Sequence, residues 1–171
     1  AETLRAMARE HGRDAVLGHM RGLQDHAARL AGAALGRLGE GVFEGEERLD
    51  DGTPLRVRVE VRGGRATVDF AGSGPVHPGS LNATPAVVTS AVLYVLRLLV
   101  DEDLPLNEGL LRAVDLRIPP GILSPPFPGD PRLCPAVVGG NVETSQRLVD
   151  LLLGALGTAA GSQGTMNNVA F

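Results

Sequence analysis

Hydrophobic and polar positions along this chain follow two different periods. Between residues 2 and 38, Val16, Met20, Leu23, Ala27, Leu30, Ala34 and Leu38 recur at intervals of three and four, which places them on one helix face. The pattern predicts one or two helices there, with Gly12 as the candidate break. Further on the period becomes two. Leu55, Val57, Val59 and Val61 alternate with Arg56, Arg58, Glu60 and Arg62, the mark of a strand with one buried and one wet face. A strand over 42–50 precedes it, closed by the turn signal Asp50-Asp51-Gly52. Gly63-Gly64 reads as a two-residue hairpin loop, and the return strand over 65–71 buries Ala66, Val68 and Phe70. The arginine row on the wet face resembles a phosphate patch, but Glu44, Glu46 and Glu60 lie in pairing range, so cross-strand ion pairs are the reading.

In the second half, Asn82-Ala83-Thr84-Pro85 opens a helix that runs to about Val100, with proline where a missing N–H is harmless. It is apolar nearly all round and is expected to be the most buried helix. Asp101-Glu102-Asp103 reads as its solvated end; a metal role there lacks the glycine-turned loop of a calcium site. A loop over 105–109 and a strand over 113–118 follow. Residues 124–135 hold five of the 12 prolines and read as an extended surface loop. Gly139-Gly140 then breaks the backbone ahead of a helix over 142–160. Val149, Leu152 and Leu156 form its stripe, widened by Leu148, Leu151 and Ala155. Glu143, Arg147 and Asp150 fall on the other face, where Glu143 and Arg147 at i,i+4 read as a surface pair. The elements sum to one α+β domain over 1–171. A helical lead-in over 1–40 precedes an α+β core over 41–171, in which a mixed or largely antiparallel sheet packs against two buried helices, 83–100 and 142–160.

Composition narrows the function. Only 3% of residues are aromatic, so the core is built from Leu, Val and Ala. The net charge of -4 lacks the basic excess that nucleic acid requires. All 16 basic residues are arginine, which excludes a Walker-type lysine and a Schiff-base lysine within this sequence. The one cysteine, Cys134, forms no internal disulfide and fits a reducing, cytoplasmic compartment; it has no nearby histidine to support a nucleophilic role. The apolar window over 83–100 is interrupted by Pro85, Thr84, Thr89, Ser90 and Arg97, which favours a buried helix over a membrane span. His19 and His26 share a helix but lie seven residues apart, too far for one metal. The loop over 72–79 is glycine-rich, yet no helix follows at the position a phosphate site needs, and it reads as a turn. The chain begins at Ala1 without an initiator Met, which reads as a segment of a longer protein.

Candidate chemistry concentrates in two stretches. Asn141, Glu143, Thr144, Ser145 and Gln146 supply more polar groups than helix capping needs. The stretch over 161–168 adds Gln163, Asn167 and Asn168 with amides and hydroxyls but no charge. Such groups bind a neutral polar ligand or satisfy loop backbone, and the residues alone leave both open. Backbone N–H groups near Asn141 are candidates to stabilise an oxyanion or phosphate at the helix start.

Several motifs together resemble the hydantoinase B/5-oxoprolinase family. They are Asp69-Phe70-Ala71-Gly72-Ser73, Asn82-Ala83, Leu106-Asn107-Glu108-Gly109 and Ile118-Pro119-Pro120-Gly121. The longest are Pro135-Ala136-Val137-Val138-Gly139-Gly140-Asn141-Val142-Glu143-Thr144-Ser145-Gln146-Arg147 and Ser162-Gln163-Gly164-Thr165-Met166-Asn167-Asn168. The resemblance implies part of a hydantoinase B-like subunit of an ATP-dependent hydrolase that opens small cyclic amides, such as hydantoins or 5-oxoproline. Related complexes carboxylate acetone or acetophenone, and a non-catalytic scaffold and docking module is the alternative of another class. It further implies a hetero-oligomer with a hydantoinase A-like partner that handles ATP, a divalent metal, and substrate contacts from Asn141, Glu143, Thr144, Ser145, Gln146, Gln163, Asn167 and Asn168. The family's acidic and histidine-rich metal signature is absent from 1–171, so no residue here is carried over as a metal ligand and no cofactor is assigned to this segment. Residues 127–133 form a longer loop than the family pattern has.

Overall fold

A computed structural model describes residues 2–162; Gln163, Asn167 and Asn168 lie outside the described residues. The lead-in forms two helices, α1 (Glu2–His11) and α2 (Arg13–Leu38), broken where Gly12 takes φ 84°, a conformation that only glycine enters easily. Strand β1 (Gly41–Arg48) pairs antiparallel with β2 (Pro54–Arg62), which pairs antiparallel with β3 (Arg65–Asp69). Gly63 and Gly64, at φ 55° and 69°, make the two-residue turn with both central residues left-handed that suits a right-twisted hairpin. After α3 (Pro85–Leu99) the chain adds β4 (Val114–Arg117) parallel to β3 and ends its described part with α4 (Glu143–Ala155). The sheet order β1-β2-β3-β4 is mixed, and the fold class is α+β.

Leu55, Val57, Val59 and Val61 of β2, with Ala66 and Val68 of β3, are buried. Leu148, Leu151 and Leu152 of α4 and Val88, Val92, Val95 and Leu96 of α3 join them in one core. Gly45 of β1 lets α4 lie close: a Cβ there would stand 2.9 Å from the Leu151 side chain. Among the described residues, the opposite face of the sheet carries no helix and is a lattice of ion pairs. Arg56 meets Glu46 at 2.8 Å and Arg58 meets Glu44 at 3.5 Å, each across the β1–β2 ladder. Glu60 pairs instead along its own strand, with Arg58 at 2.8 Å and Arg62 at 2.7 Å. The arginine row is therefore engaged internally.

The helical lead-in joins the two expected buried helices on the core, because Ala27, Ala31, Ala34 and Leu35 of α2 are buried in it. Small side chains allow the approach: a Cβ on Gly64 would come 2.9 Å from the carbonyl oxygen of Gly32. The first half of the same stripe is outside the core, with Met20 50% and Leu23 40% exposed. Helix α3 is less buried than its all-apolar pattern suggests, since Tyr94 and Leu98 are exposed. Helix α4 stops at Ala155 rather than near 160. Gly157 at φ 65° donates to the Gly154 carbonyl and Thr158 N–H to the Leu153 carbonyl, the paired bonds of a glycine-terminated helix.

The ends of α3 show how sequence signals become structure. Thr84 caps the first turn, its Oγ1 accepting from Val87 N–H at 3.4 Å, and Pro85 follows. At the other end, Asp101-Glu102-Asp103 opposes the helix dipole. Arg37 of α2 donates to the Leu99 carbonyl at 3.0 Å and Arg97 to the Val100 carbonyl at 3.2 Å, placing positive charge where the carboxylates are unfavourable.

The turn after β1 has its own electrostatics. Asp51 Oδ1 accepts from Thr53 N–H at 2.9 Å, and Asp51 Oδ2 lies 2.7 Å from His77 Nε2. His77 Nδ1 accepts from Gly79 N–H at 2.9 Å, so Nε2 is the nitrogen that carries hydrogen and donates to Asp51. The Thr53 bond first, then His77, lowers the Asp51 carboxyl from 3.8 to about 2. A depressed carboxyl stabilises the fold above its unfolded value and loses that contribution as pH falls through the folded one. The stability gap between the protein and Asp51→Asn is therefore expected to be full above pH ~4 and to close towards pH ~2. Urea titrations across that range check it; a gap independent of pH refutes it.

Candidate functional site

The polar stretch ahead of α4 is arranged by one buried side chain. Asn82 is fully buried. Its Oδ1 accepts from His77 N–H at 2.7 Å, and its Nδ2 lies within bonding distance of the carbonyls of His77 (2.9 Å), Gly79 (3.2 Å) and Ala136 (2.9 Å). This amide ties the loop before α3 to the segment that leads to Gly139. Gly139 N–H then donates to the Ser80 carbonyl at 2.8 Å. Gly140 packs directly on the same segment: a Cβ would fall on the Asn82 carbonyl oxygen, 2.6 Å from its carbon. The two glycines thus allow backbone to lie on backbone, and a short 3-10 turn (Gly139–Asn141) leads into α4.

From that fixed start, the five predicted polar residues diverge. Thr144 is buried, and its hydroxyl donates to the Leu81 carbonyl at 2.5 Å. Ser145 Oγ donates back to the Asn141 carbonyl at 2.8 Å. Glu143 turns towards a depression of about 480 Å³ shared with Arg147, Asp50 and Ser80. Arg147 pairs with Asp50 at 3.3 Å, so the expected Glu143–Arg147 pair is replaced by one from α4 to the β1–β2 turn. Asn141, Ser145 and Gln146 line an open groove of about 690 Å³ between α3 and α4.

That groove is the candidate site. Its α3 wall includes Ala86, Ser90, Ala91 and Tyr94, and its α4 wall includes Val149, Asp150 and Leu153. Ser162 reaches it from the following loop. Gln146 Nε2 donates to Ser162 Oγ at 2.8 Å, and Ser162 Oγ donates to Asp150 Oδ2 at 2.8 Å. The second polar stretch therefore begins in contact with the first. Asp150 shares the face of Glu143 and Arg147 as expected, but at ~100° per residue it lies closer around the helix to Gln146 (about 40°) than to Arg147 (about 60°), and its carboxylate joins Gln146 through Ser162. Asp150, Ser90 and Tyr94 are groove residues that sequence reasoning missed. For Asp150 the signal was its i,i+4 spacing from Gln146.

Two other expectations meet the geometry here. Gly140 N–H donates to the Val137 carbonyl and Val142 N–H to the Gly139 carbonyl, so these two N–H groups near Asn141 are engaged in the turn. Among the described residues no group of three or more His, Cys, Asp and Glu side chains is arranged to hold a metal ion. The described residues do not fit the implied divalent metal. No described helix is long and apolar enough to cross a membrane.

A family model for hydantoinase B/oxoprolinase matches residues 1–171. The chain belongs to the hydantoinase B/oxoprolinase family. Among curated relatives of this family segment, a 5-oxoprolinase from Saccharomyces cerevisiae is 38% identical over 172 residues, covering 97% of this chain and 13% of the relative. 5-Oxoprolinase 1 from Arabidopsis thaliana is 45% identical over 139 residues, 79% of this chain and 10% of the relative. The hydantoinase B segment thus spans about an eighth of the length of the first of these. In three dimensions it is similar to an ATP-dependent caprolactamase from Pseudomonas jessenii, with a TM-score of 0.75 and 26% identity over 89% of this chain and 27% of that one.

Proposed function

We propose that this chain is part of an ATP-dependent hydrolase that opens small cyclic amides, and that the groove between α3 and α4 holds the ring. The family match over the whole chain carries this reading, together with relatives whose names specify hydrolysis of a cyclic amide. The groove supports it chemically. Ala86, Val87, Ala91, Val149 and Leu153 give it apolar walls, and α4 with the turn before it supplies most of its polar groups, with amides from Asn141 and Gln146. An amide side chain offers one acceptor and two donors and matches the N–H and C=O of a ring amide. In this reading ATP is handled by a hydantoinase A-like partner within a hetero-oligomer, and the divalent metal is held by residues outside this sequence. A cytoplasmic setting follows the same reading.

A scaffold and docking role is the competing reading, favoured by the internal engagement of Thr144, Ser145, Asn82 and Gly140. Asn141→Ala combined with Gln146→Ala in the complete, partner-bound enzyme separates the two. Loss of two well-placed hydrogen bonds is expected to lower kcat/KM for a lactam by roughly tenfold to a hundredfold with assembly intact. Turnover per assembled complex that is unchanged, with weakened assembly, favours docking and refutes the groove.

A further inference from the structure

Resting on that reading, we propose that Asp150 receives the ammonium group of the ring-opened product. Asp150 is the only carboxylate lining the groove among the described residues. Its Oδ2 accepts from Ser162, whose oxygen accepts from the Gln146 amide nitrogen. That direction is forced: a hydroxyl has one hydrogen, and once it goes to the carboxylate the Gln146 side must be the donor. Asp150 Oδ1 and Gln146 Oε1 then remain as acceptors without a described partner. The basic residue nearest in sequence, Arg147, is turned to Asp50, and no described cation pairs with Asp150. The groove therefore presents acceptors and one negative charge among lining residues that include Tyr94 and the apolar Val149 and Leu153.

A lactam answers this with a single neutral N–H. Hydrolysis changes that. The acyl C–N bond breaks, a C–O bond forms to the oxygen of one water, and the freed nitrogen keeps its hydrogen and takes up two protons. One is the water's second hydrogen and the other is the proton of the new carboxylic acid. The product is a carboxylate joined to an ammonium with three N–H donors and a positive charge. An ammonium against a carboxylate in a half-buried groove forms the stronger, charge-assisted bond, and an aromatic face adds to it. The apolar wall runs alongside the hydrocarbon between the two ends. The groove is thus selective for the amine-bearing product over the ring it came from.

Binding of amino acids and their des-amino counterparts to the complete enzyme tests this, with glutamate against glutarate and 6-aminohexanoate against hexanoate as probes. The wild type is expected to prefer one amino acid over its counterpart by roughly tenfold or more. Asp150→Asn should abolish that preference, and Asp150→Glu should restore part of it; circular dichroism and KM for the lactam report whether each variant is folded. A preference that survives Asp150→Asn in a folded enzyme overturns the assignment. Ser90→Trp, which fills the groove from its exposed α3 wall, separates this from the reading beneath it. Loss of lactam turnover in Ser90→Trp alongside an unaltered preference in Asp150→Asn removes only the role of Asp150. Turnover and binding both untouched by Ser90→Trp remove the groove itself.

Discussion

Replacing Gly140 by alanine is expected to destabilise the protein by at least ~3 kcal/mol, enough to unfold a domain of ordinary stability. The added Cβ falls on the carbonyl of Asn82 and lies 2.8 Å from Ala83 Cα. Both neighbours are backbone and neither can rotate away. Gly139 N–H is bonded to the Ser80 carbonyl, and Ala83 N–H to the carbonyl of Ile122, so separating the segments breaks bonds on both sides. Overpacking against fixed backbone belongs among the few mechanisms that give large single-residue effects. Gly154→Ala is the matched control. It sits in α4 with nothing within 4 Å of its virtual Cβ, and alanine there is expected to stabilise by ~0.5–1 kcal/mol through helix propensity. Urea denaturation of both variants checks the pair. Equal effects would mean that the close approach at Gly140 is not present in solution.

Asn82→Ala carries the second large effect, about 3–5 kcal/mol. The side chain is fully buried and meets four backbone groups on two loops. Its removal leaves those groups buried without their partner, and each such group costs ~1–3 kcal/mol unless water enters. Asn82→Asp sharpens the test. Aspartate keeps the acceptor for His77 N–H but replaces the donor with a carboxylate facing the carbonyl oxygens of His77, Gly79 and Ala136. It is expected to be at least as harmful as alanine at neutral pH, because it adds a buried charge beside acceptors. Denaturation of both variants, with recovery of Asn82→Asp on acidification, separates lost bonding from introduced charge. An Asn82→Asp protein as stable as the wild type at pH 7 would contradict the donor assignment of Nδ2.

Periodicity carried most of the architecture. The 3.6 and 2 periods placed the helices and the β2–β3 hairpin, and Gly63-Gly64 and Thr84-Pro85 marked a turn and a helix start by local chemistry. What escaped was tertiary. A stripe such as Val16, Met20, Leu23 and Ala27 looks uniform in sequence, yet only part of it meets another element, and no local signal states where contact begins. Candidate-site residues divided for the same reason. Thr144 and Gln146 are equally polar in sequence, but 200° around a helix separates a residue on the core side from one on a groove wall. Asn82 was visible as a motif residue; its role as a buried connector depends on Ala136, more than fifty positions away, which no spacing rule reaches.

Helix α2 is continuous in geometry and divided in energy. Its later turns are held by burial of Ala27, Ala31, Ala34 and Leu35, whereas α1 has no buried residue and the opening turns of α2 have only Val16. Helices of this length without tertiary support are marginal in water. Within these two helices, opening free energy should therefore rise along α2 towards the global value at Leu35. The boundary between two cooperative units is therefore expected within an unbroken helix, near residue 24, rather than at the glycine that bends the chain.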